Sequence, residues 1–359
     1  MPTLCALVAA VLNLASAWWQ PALPGYRYRF PADYGAHVRA RSEWWYYTGN
    51  VFADRARRYG FELTFFRFGM QRPLPGGSAW DIDDLYFAHF AVSDIGRNRF
   101  YYFDRTGRAA LGFAGAAVGD ENAWVGSWRA QRRLDGAALL SAAAPAAALR
   151  LTLRPRKPAV IHGQNGRSRK GACATCASHY YSFTRLEAKG TLTIDGSSVR
   201  VKGLAWNDHE WGSDELQPGV VGWDWFSIQL SNRTEIMLYS LRLGDGTSVP
   251  QSSGTLINAD GSSRYLALSD FSIRALGVWS SPHSGARYPA GWMVRLPKER
   301  IDLRVVPAMA DQELLTGRST GADYWEGACT IAGTYGARAV RGVGYTELTG
   351  YSKTSKLPI

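Results

Sequence analysis

The stretch Gly203–Leu230, GLAWNDHEWGSDELQPGVVGWDWFSIQL, decides how the rest of the chain reads. From Trp223 onward its residues alternate. Asp224, Phe226, Ile228 and Leu230 fall on one face of a strand, and Trp223, Trp225, Ser227 and Gln229 on the other. Gln217-Pro218-Gly219 breaks the pattern and sets this strand apart from the segment carrying Asp208, His209 and Glu210. Those groups and Asp224 lie among Trp206, Trp211, Trp223 and Trp225. Ionisable groups among large aromatics have altered proton affinities, because a low dielectric disfavours the charged form. That is one way to prepare a general acid. A Trp-rich core with surface acids beside it accounts for the same residues equally well. Alternation turns His209 and Trp211 toward one cavity and Asp208 and Glu210 away from it. Asp224 reads as a carboxyl at the mouth of an apolar cavity, or as a strand-end Asp accepting backbone hydrogen bonds.

Working outward, the chain from Trp44 is β throughout, in segments of five to ten residues with turn residues between them. Trp45, Tyr47, Gly49 and Val51 share one strand face; Phe61, Leu63 and Phe65 share the next, after the turn ADRARR. An echo links the two halves: YGFELTFFRFG at Tyr59–Gly69 parallels TEIMLYSLRLG at Thr234–Gly244. An aromatic strand precedes each, WWYYTGNV before the first and WDWFSIQL before the second. The spacing exceeds that of solenoid repeats, so two related β domains fit better than an array. Many short antiparallel strands imply sandwiches or closed barrels, and aromatic inner faces favour barrels wide enough for a ligand. The expected organisation is a leader over 1–17, an N-terminal β domain over 26–217 and a C-terminal β domain over 218–351.

The 46% hydrophobic and 20% charged composition is that of a globular chain. The net charge of +11 arises from scattered basic residues with no nucleic-acid motif beside them. It points to an anionic membrane surface or to solubility, not to DNA or RNA. The apolar run LCALVAAVLNLASA at 4–17 ends in Ala15-Ser16-Ala17, an A-x-A cleavage pattern, so the chain is expected to be exported to a periplasm or beyond. Cys173 and Cys176 fit a local disulfide in such a compartment. Zinc would need further ligands; His179 and His162 are near, but HGQNGRSRKGACATCASH reads as an exposed loop. No nucleophile elbow, P-loop, zincin motif or dinucleotide fingerprint is present. What remains is cofactor-free acid/base chemistry in an aromatic pocket, or ligand binding without chemistry. Glu43, before WWYY, and His89, beside Phe87, read first as hydrogen-bonded core residues. Tyr239 faces a barrel wall, and Glu326 is a weaker candidate.

The motifs SEWWYYTGNV (from Ser42), YGFELTFFRF (Tyr59), YFAHFAVSD (Tyr86) and SHYYSFTRL (Ser178) lead into GLAWNDHEWG and GWDWFSIQL. With YWEGACTIAG and GYTELTGY near the C-terminus, the chain resembles the carotenoid 1,2-hydratases (hydroxyneurosporene synthases) and the secreted AttH-type proteins related to them. The resemblance runs from about Tyr26 to Tyr351. It implies an all-β fold of two lipocalin-like antiparallel barrels side by side. It implies cofactor-free hydration of a C=C bond in a large apolar molecule, a carotenoid, terpenoid or lipid. By that resemblance His209 and Trp211 match a functional His-x-Trp. Asp224 or Asp208 would be the acid, His209 the base or water-orienter, and Trp211 and Tyr239 cation stabilisers. Trp206, Glu210, Trp223, Trp225, Glu43, Trp45 and His89 would line the substrate site, with no metal. Two alternatives stand beside it: a periplasmic lipid or terpenoid carrier working with an ABC exporter or membrane surface, and a hydrolase.

Overall fold

The computed structural model describes residues 18–71, 77–78 and 80–352. The expected leader over 1–17 lies outside them. Among the described residues the structure is strand and short 3-10 turns, with no α-helix. Two large antiparallel sheets account for almost all of it. A 13-stranded sheet is a nearly closed barrel and a 10-stranded sheet a half-barrel, as expected of two lipocalin-like barrels.

The echo in the sequence corresponds to equivalent places in the two sheets. Ser42–Phe52 pairs with Arg58–Gly69 on one side and with Ser197–Gly212 on the other. In the second sheet Val220–Leu230 pairs with Glu235–Leu243 on one side and with Arg338–Thr349 on the other. Each barrel is thus opened by a hairpin whose first strand also closes onto a late strand. Ala177–Ile194 runs as one long strand, with a register shift between Phe183 and Leu186. Such a bulge bends the strand and lets it serve two directions.

The strands at the junction are buried on both faces, which follows from where the barrels meet. Phe61, Leu63 and Phe65 point into the N-terminal core, and Phe226, Ile228 and Leu230 into the C-terminal core. Tyr46, Tyr180, Trp206, Trp225, Tyr239 and Tyr345 form a third apolar cluster between the barrels. Polar side chains tie the barrels together. Arg58 reaches Thr330 Oγ1 at 2.6 Å and the Cys329 carbonyl at 2.7 Å, and Gln229 Nε2 donates to the carbonyls of Thr184 and Ala205. Buried Glu235 takes Lys157 at 2.5 Å and also Arg185, so one carboxylate answers two desolvated cations. Gly60 marks a close approach: a Cβ there would lie 2.7 Å from that of Ala328.

Candidate functional site

Between the barrels lies a cavity with about 860 Å³ of atom-free space, part of it open to solvent. A water's centre can move through about 100 Å³ of it, far more than the ~10–15 Å³ that one water needs. Both sheets turn an outer face toward it. The N-terminal barrel contributes Trp44, Tyr46, Glu62, Thr64, Phe66, Phe68, Asp208 and Glu210; the C-terminal barrel contributes Trp223, Trp225, Tyr239, Tyr324, Glu326 and Glu347. Lys170 and Tyr180 complete the wall, with Glu215 toward one end. The wall is aromatic and carries six carboxyl groups against one lysine.

Burial sets the chemistry of those carboxyls. Desolvation pushes Asp208 up to about 7, against the donations it receives from Ser182, Tyr180 and Trp206. Tyr180 Oη donates to Asp208 Oδ2 at 2.8 Å and Trp206 Nε1 to Oδ1 at 2.5 Å. Trp225 Nε1 donates in turn to Tyr180 Oη at 3.1 Å, so the indole wall and the acid belong to one network. Glu62 is pushed up to about 8 by burial, although Thr64 and Tyr324 donate to its Oε1. Glu326 is held well above the usual carboxylate range by burial and by the nearby Glu62, Glu347 and Asp208. Its Oε1 accepts from Tyr46 at 2.7 Å, whereas Oε2, like Glu62 Oε2, has no hydrogen-bond partner among the described residues. Burial raises Glu347 to about 7 and Glu215 to about 8. Burial disfavours the charge on Lys170. Glu210 at 2.8 Å outweighs that and holds it charged, with its Nζ 4.1 Å from the Tyr239 ring centre. At neutral pH the cavity therefore presents protonated Glu62, Glu215 and Glu326, with Asp208 and Glu347 near their midpoints, against aromatic faces.

The sequence-derived candidates divide between this cavity and three other places. Asp208, Glu210, Trp223, Trp225 and Tyr239 line the cavity, and Trp206 stands behind Asp208. His209 and Trp211 lie on the opposite face. The expectation that they share the cavity while Asp208 and Glu210 turn away is thus reversed, because the cavity lies outside the N-terminal barrel and not within it. Inside that barrel, His209 Nε2 meets Glu43 Oε1 at 2.9 Å, Tyr181 Oη meets His209 Nδ1 at 3.0 Å, and Trp45 stacks on the imidazole. His37 also bonds Glu43 Oε1, at 2.8 Å, and stacks on Trp211 with ring centres 3.7 Å apart. Burial would raise Glu43, but His209, His37 and Arg67 hold it well below the usual carboxylate range. His37, Glu43 and His209 offer ligand atoms within 4.8 Å of one another, the only such group among the described residues. Both imidazoles already converge on one Glu43 oxygen, and Arg67 takes the other at 3.1 Å, so the set reads as a charge-balanced brace.

Asp224 is not in the cavity. It faces Arg242 and accepts from Tyr351 Oη at 2.9 Å at one end of the C-terminal barrel. His89 stands behind the wall, bonded through Nδ1 to Tyr324 Oη at 2.7 Å, and burial lowers it to about 3 so that it stays neutral. Sequence reasoning missed Glu62, Glu347, Glu215, Lys170, Tyr180 and Tyr46. The signal for Glu62 was present: in YGFELTFFRFG it shares a face with Thr64, Phe66 and Phe68, as aromatic as the face that was read. The loop expected to be exposed buries His162 and Lys170 and carries Cys173 and Cys176 joined as a disulfide.

Two lipocalin-like β-barrels with an acid-lined aromatic cavity between them define the fold and its candidate site. The AttH-like family model matches residues 21–351, and the chain belongs to that family. It is similar to a structure assigned to AttH from Nitrosomonas europaea, with 34% identity and a TM-score of 0.83 over 92% of this chain and 99% of that one. It is also similar in fold to kievitone hydratase from Nectria haematococca, at 14% identity and a TM-score of 0.71 over 93% and 98% of the two chains. CghA solved with Sch210972 follows, at 14% identity and a TM-score of 0.55 over 93% and 97%. No curated protein matches the chain.

Proposed function

We propose that this protein is a hydratase-like enzyme that adds water across a carbon–carbon double bond of a large apolar isoprenoid or lipid, as a carotenoid 1,2-hydratase does. The observation that carries the reading is the set of carboxyls buried within an aromatic wall, where desolvation favours the protonated form. Glu326, protonated and with one oxygen unpartnered, gives its proton to the less substituted alkene carbon, and the π electrons form the new C–H bond. The tertiary cation left behind faces Trp223, Trp225 and Tyr239, each worth roughly 0.5–2 kcal/mol through its ring quadrupole. Water attacks the cation, and Asp208, poised near pH 7, accepts its proton. The substrate gains one water, and Asp208 then passes its proton through solvent back to Glu326, which restores both groups. His209, Trp211, Glu43 and Trp45 brace the strand that presents Asp208 and Glu210. A fold relative named as a hydratase supports the assignment.

The test is hydration of an acyclic carotenoid in detergent micelles, followed by mass spectrometry. Asp208→Asn and Glu326→Gln should each lose at least ~100-fold in rate, the lower end of what acid–base groups supply. Wild-type rates in both variants would refute the assignment.

Export and a peripheral membrane contact complete the proposal. The Cys173–Cys176 disulfide supports an oxidising compartment. Leu111 and Phe113 are each 66% exposed, and Leu111 adopts a left-handed backbone (φ 57°) that displays it at a loop tip. Arg108, three residues before Leu111, lies 5.0 Å over the exposed Trp80 ring, and apolar side chains paired with cations suit an anionic interface. Leu111→Ser with Phe113→Ser should abolish co-sedimentation with phosphatidylglycerol vesicles; unchanged sedimentation would sink the contact.

A further inference from the structure

Asp208 is asked both to accept a proton and to give it back, and what lies behind it is suited to that. Ser182 Oγ bonds Asp208 Oδ1, and His162 Nε2 lies 2.6 Å from the same hydroxyl. The other imidazole nitrogen, Nδ1, meets Thr255 Oγ1 at 2.8 Å. All four residues are buried. The chain crosses from the N-terminal barrel to the C-terminal one, since Ser182 lies in Ala177–Ile194 and Thr255 in Ser253–Ile257. His162 is fixed by its own N–H, which donates to the Tyr180 carbonyl at 2.9 Å, and by packing on the Tyr180 ring.

The proton inventory of this chain admits two arrangements in which Asp208, Ser182 and both imidazole nitrogens are all paired. With Asp208 ionised, Ser182 donates to the carboxylate, His162 Nε2–H donates to Ser182, and Thr255 donates to Nδ1. With Asp208 protonated, the carboxyl donates to Ser182, Ser182 donates to Nε2, and Nδ1–H donates to Thr255. The imidazole carries one proton in both, on different nitrogens, and no heavy atom needs to move. Burial and the nearby Lys170 lower His162 to about 3, so it stays neutral throughout.

We propose that His162 is a positioning residue: by exchanging tautomers it reverses the Ser182–His162–Thr255 chain and lets Asp208 be fully hydrogen-bonded in either protonation state. This rests on the role given to Asp208 above. The other groups acting on Asp208 are Tyr180, Trp206, Glu210 and Glu326; those on His162 are Lys170 and Tyr180.

The chain makes opposite demands of two substitutions. In His162→Phe the Ser182 proton has only Asp208 to go to, so the protonated acid leaves a buried donor unpaired and the Asp208 pKa should fall by about one pH unit or more. In Ser182→Ala the carboxylate loses a donor and the pKa should rise. A merely structural residue would not produce opposite signs. The readout is the carboxyl C=O stretch in infrared difference spectra across pH, assigned by its loss in Asp208→Asn, and needs no substrate. His162→Gln, which keeps a donor toward Ser182, guards against misfolding of the Phe variant and should fall between it and wild type. An Asp208 band that titrates near neutrality in wild type and identically in both His162 variants overturns the relay and leaves the proposed function standing. A wild-type band that does not titrate near neutrality overturns the acid–base reading itself.

Discussion

Replacing Glu62 by Gln should stabilise the protein in alkali and do little in acid. The Glu62 carboxyl is buried, and only one of its oxygens has partners. Its pKa rises from the ordinary 4.5 to about 8 on folding. Below pH 4.5 both folded and unfolded chains hold the proton, and the group has no effect on the balance. Between 4.5 and 8 the unfolded chain releases the proton while the folded chain keeps it, so stability declines as pH rises. Above 8 the decline is complete. At about 1.4 kcal/mol per pH unit the full span is about 5 kcal/mol, an upper limit because relaxation and water entry reduce the penalty for a buried charge. Gln keeps the oxygen that accepts from Thr64 and Tyr324 and carries no proton to lose. Urea unfolding of wild type and Glu62→Gln at pH 5 and pH 9 measures the difference. The variant should gain several kcal/mol relative to wild type between the two conditions. An equal difference at both pH values would mean that Glu62 is already ionised and solvated in the folded protein, and the picture of a dry acid-lined cavity would fail.

Other expectations concern the rest of the molecule. Activity should rise as pH increases through about 7, where Asp208 becomes able to accept a proton, and Asp208→Asn should remove that limb of the pH–rate profile. Arg67→Leu strands Glu43 and Asp84 without their cation and should cost about 3–5 kcal/mol in urea unfolding; a loss below ~1 kcal/mol would show that the brace is dispensable. Burial pushes the Cys329 thiol up to about 12, so iodoacetamide at pH 8 should leave it unmodified until the protein is unfolded; rapid native labelling would contradict its burial.

Much of this arrangement was legible in the amino-acid sequence, and the exceptions share one cause. Strand alternation and the echo between Tyr59–Gly69 and Thr234–Gly244 were enough for two related β domains, because both are local patterns, and the family resemblance made them barrels. The same alternation required Asp208 and Glu210 to oppose His209 and Trp211. It carried no information about which of the two faces meets a cavity. That depends on a second barrel docking onto the outside of the first, a contact between residues far apart in the chain. Glu62 and Glu347 were overlooked for the same reason: each lies on the face that an isolated barrel would show to water. Lys170 and His162 sit in a loop whose Gly and Arg content reads as exposed. The Cys173–Cys176 disulfide was legible, but the packing of His162 and Lys170 against Tyr180 was not.

The location of a bound ligand tests the account most directly. A geranylgeranyl analogue carrying a diazirine, photolysed in the protein and mapped by peptide mass spectrometry, reports which wall it touches. Adducts on Phe66, Trp223, Trp225 and Tyr239, suppressed by excess unlabelled isoprenoid, are the result expected of the cavity between the barrels. Adducts confined to Tyr181, His209 and Trp211, inside the N-terminal barrel, would contradict it.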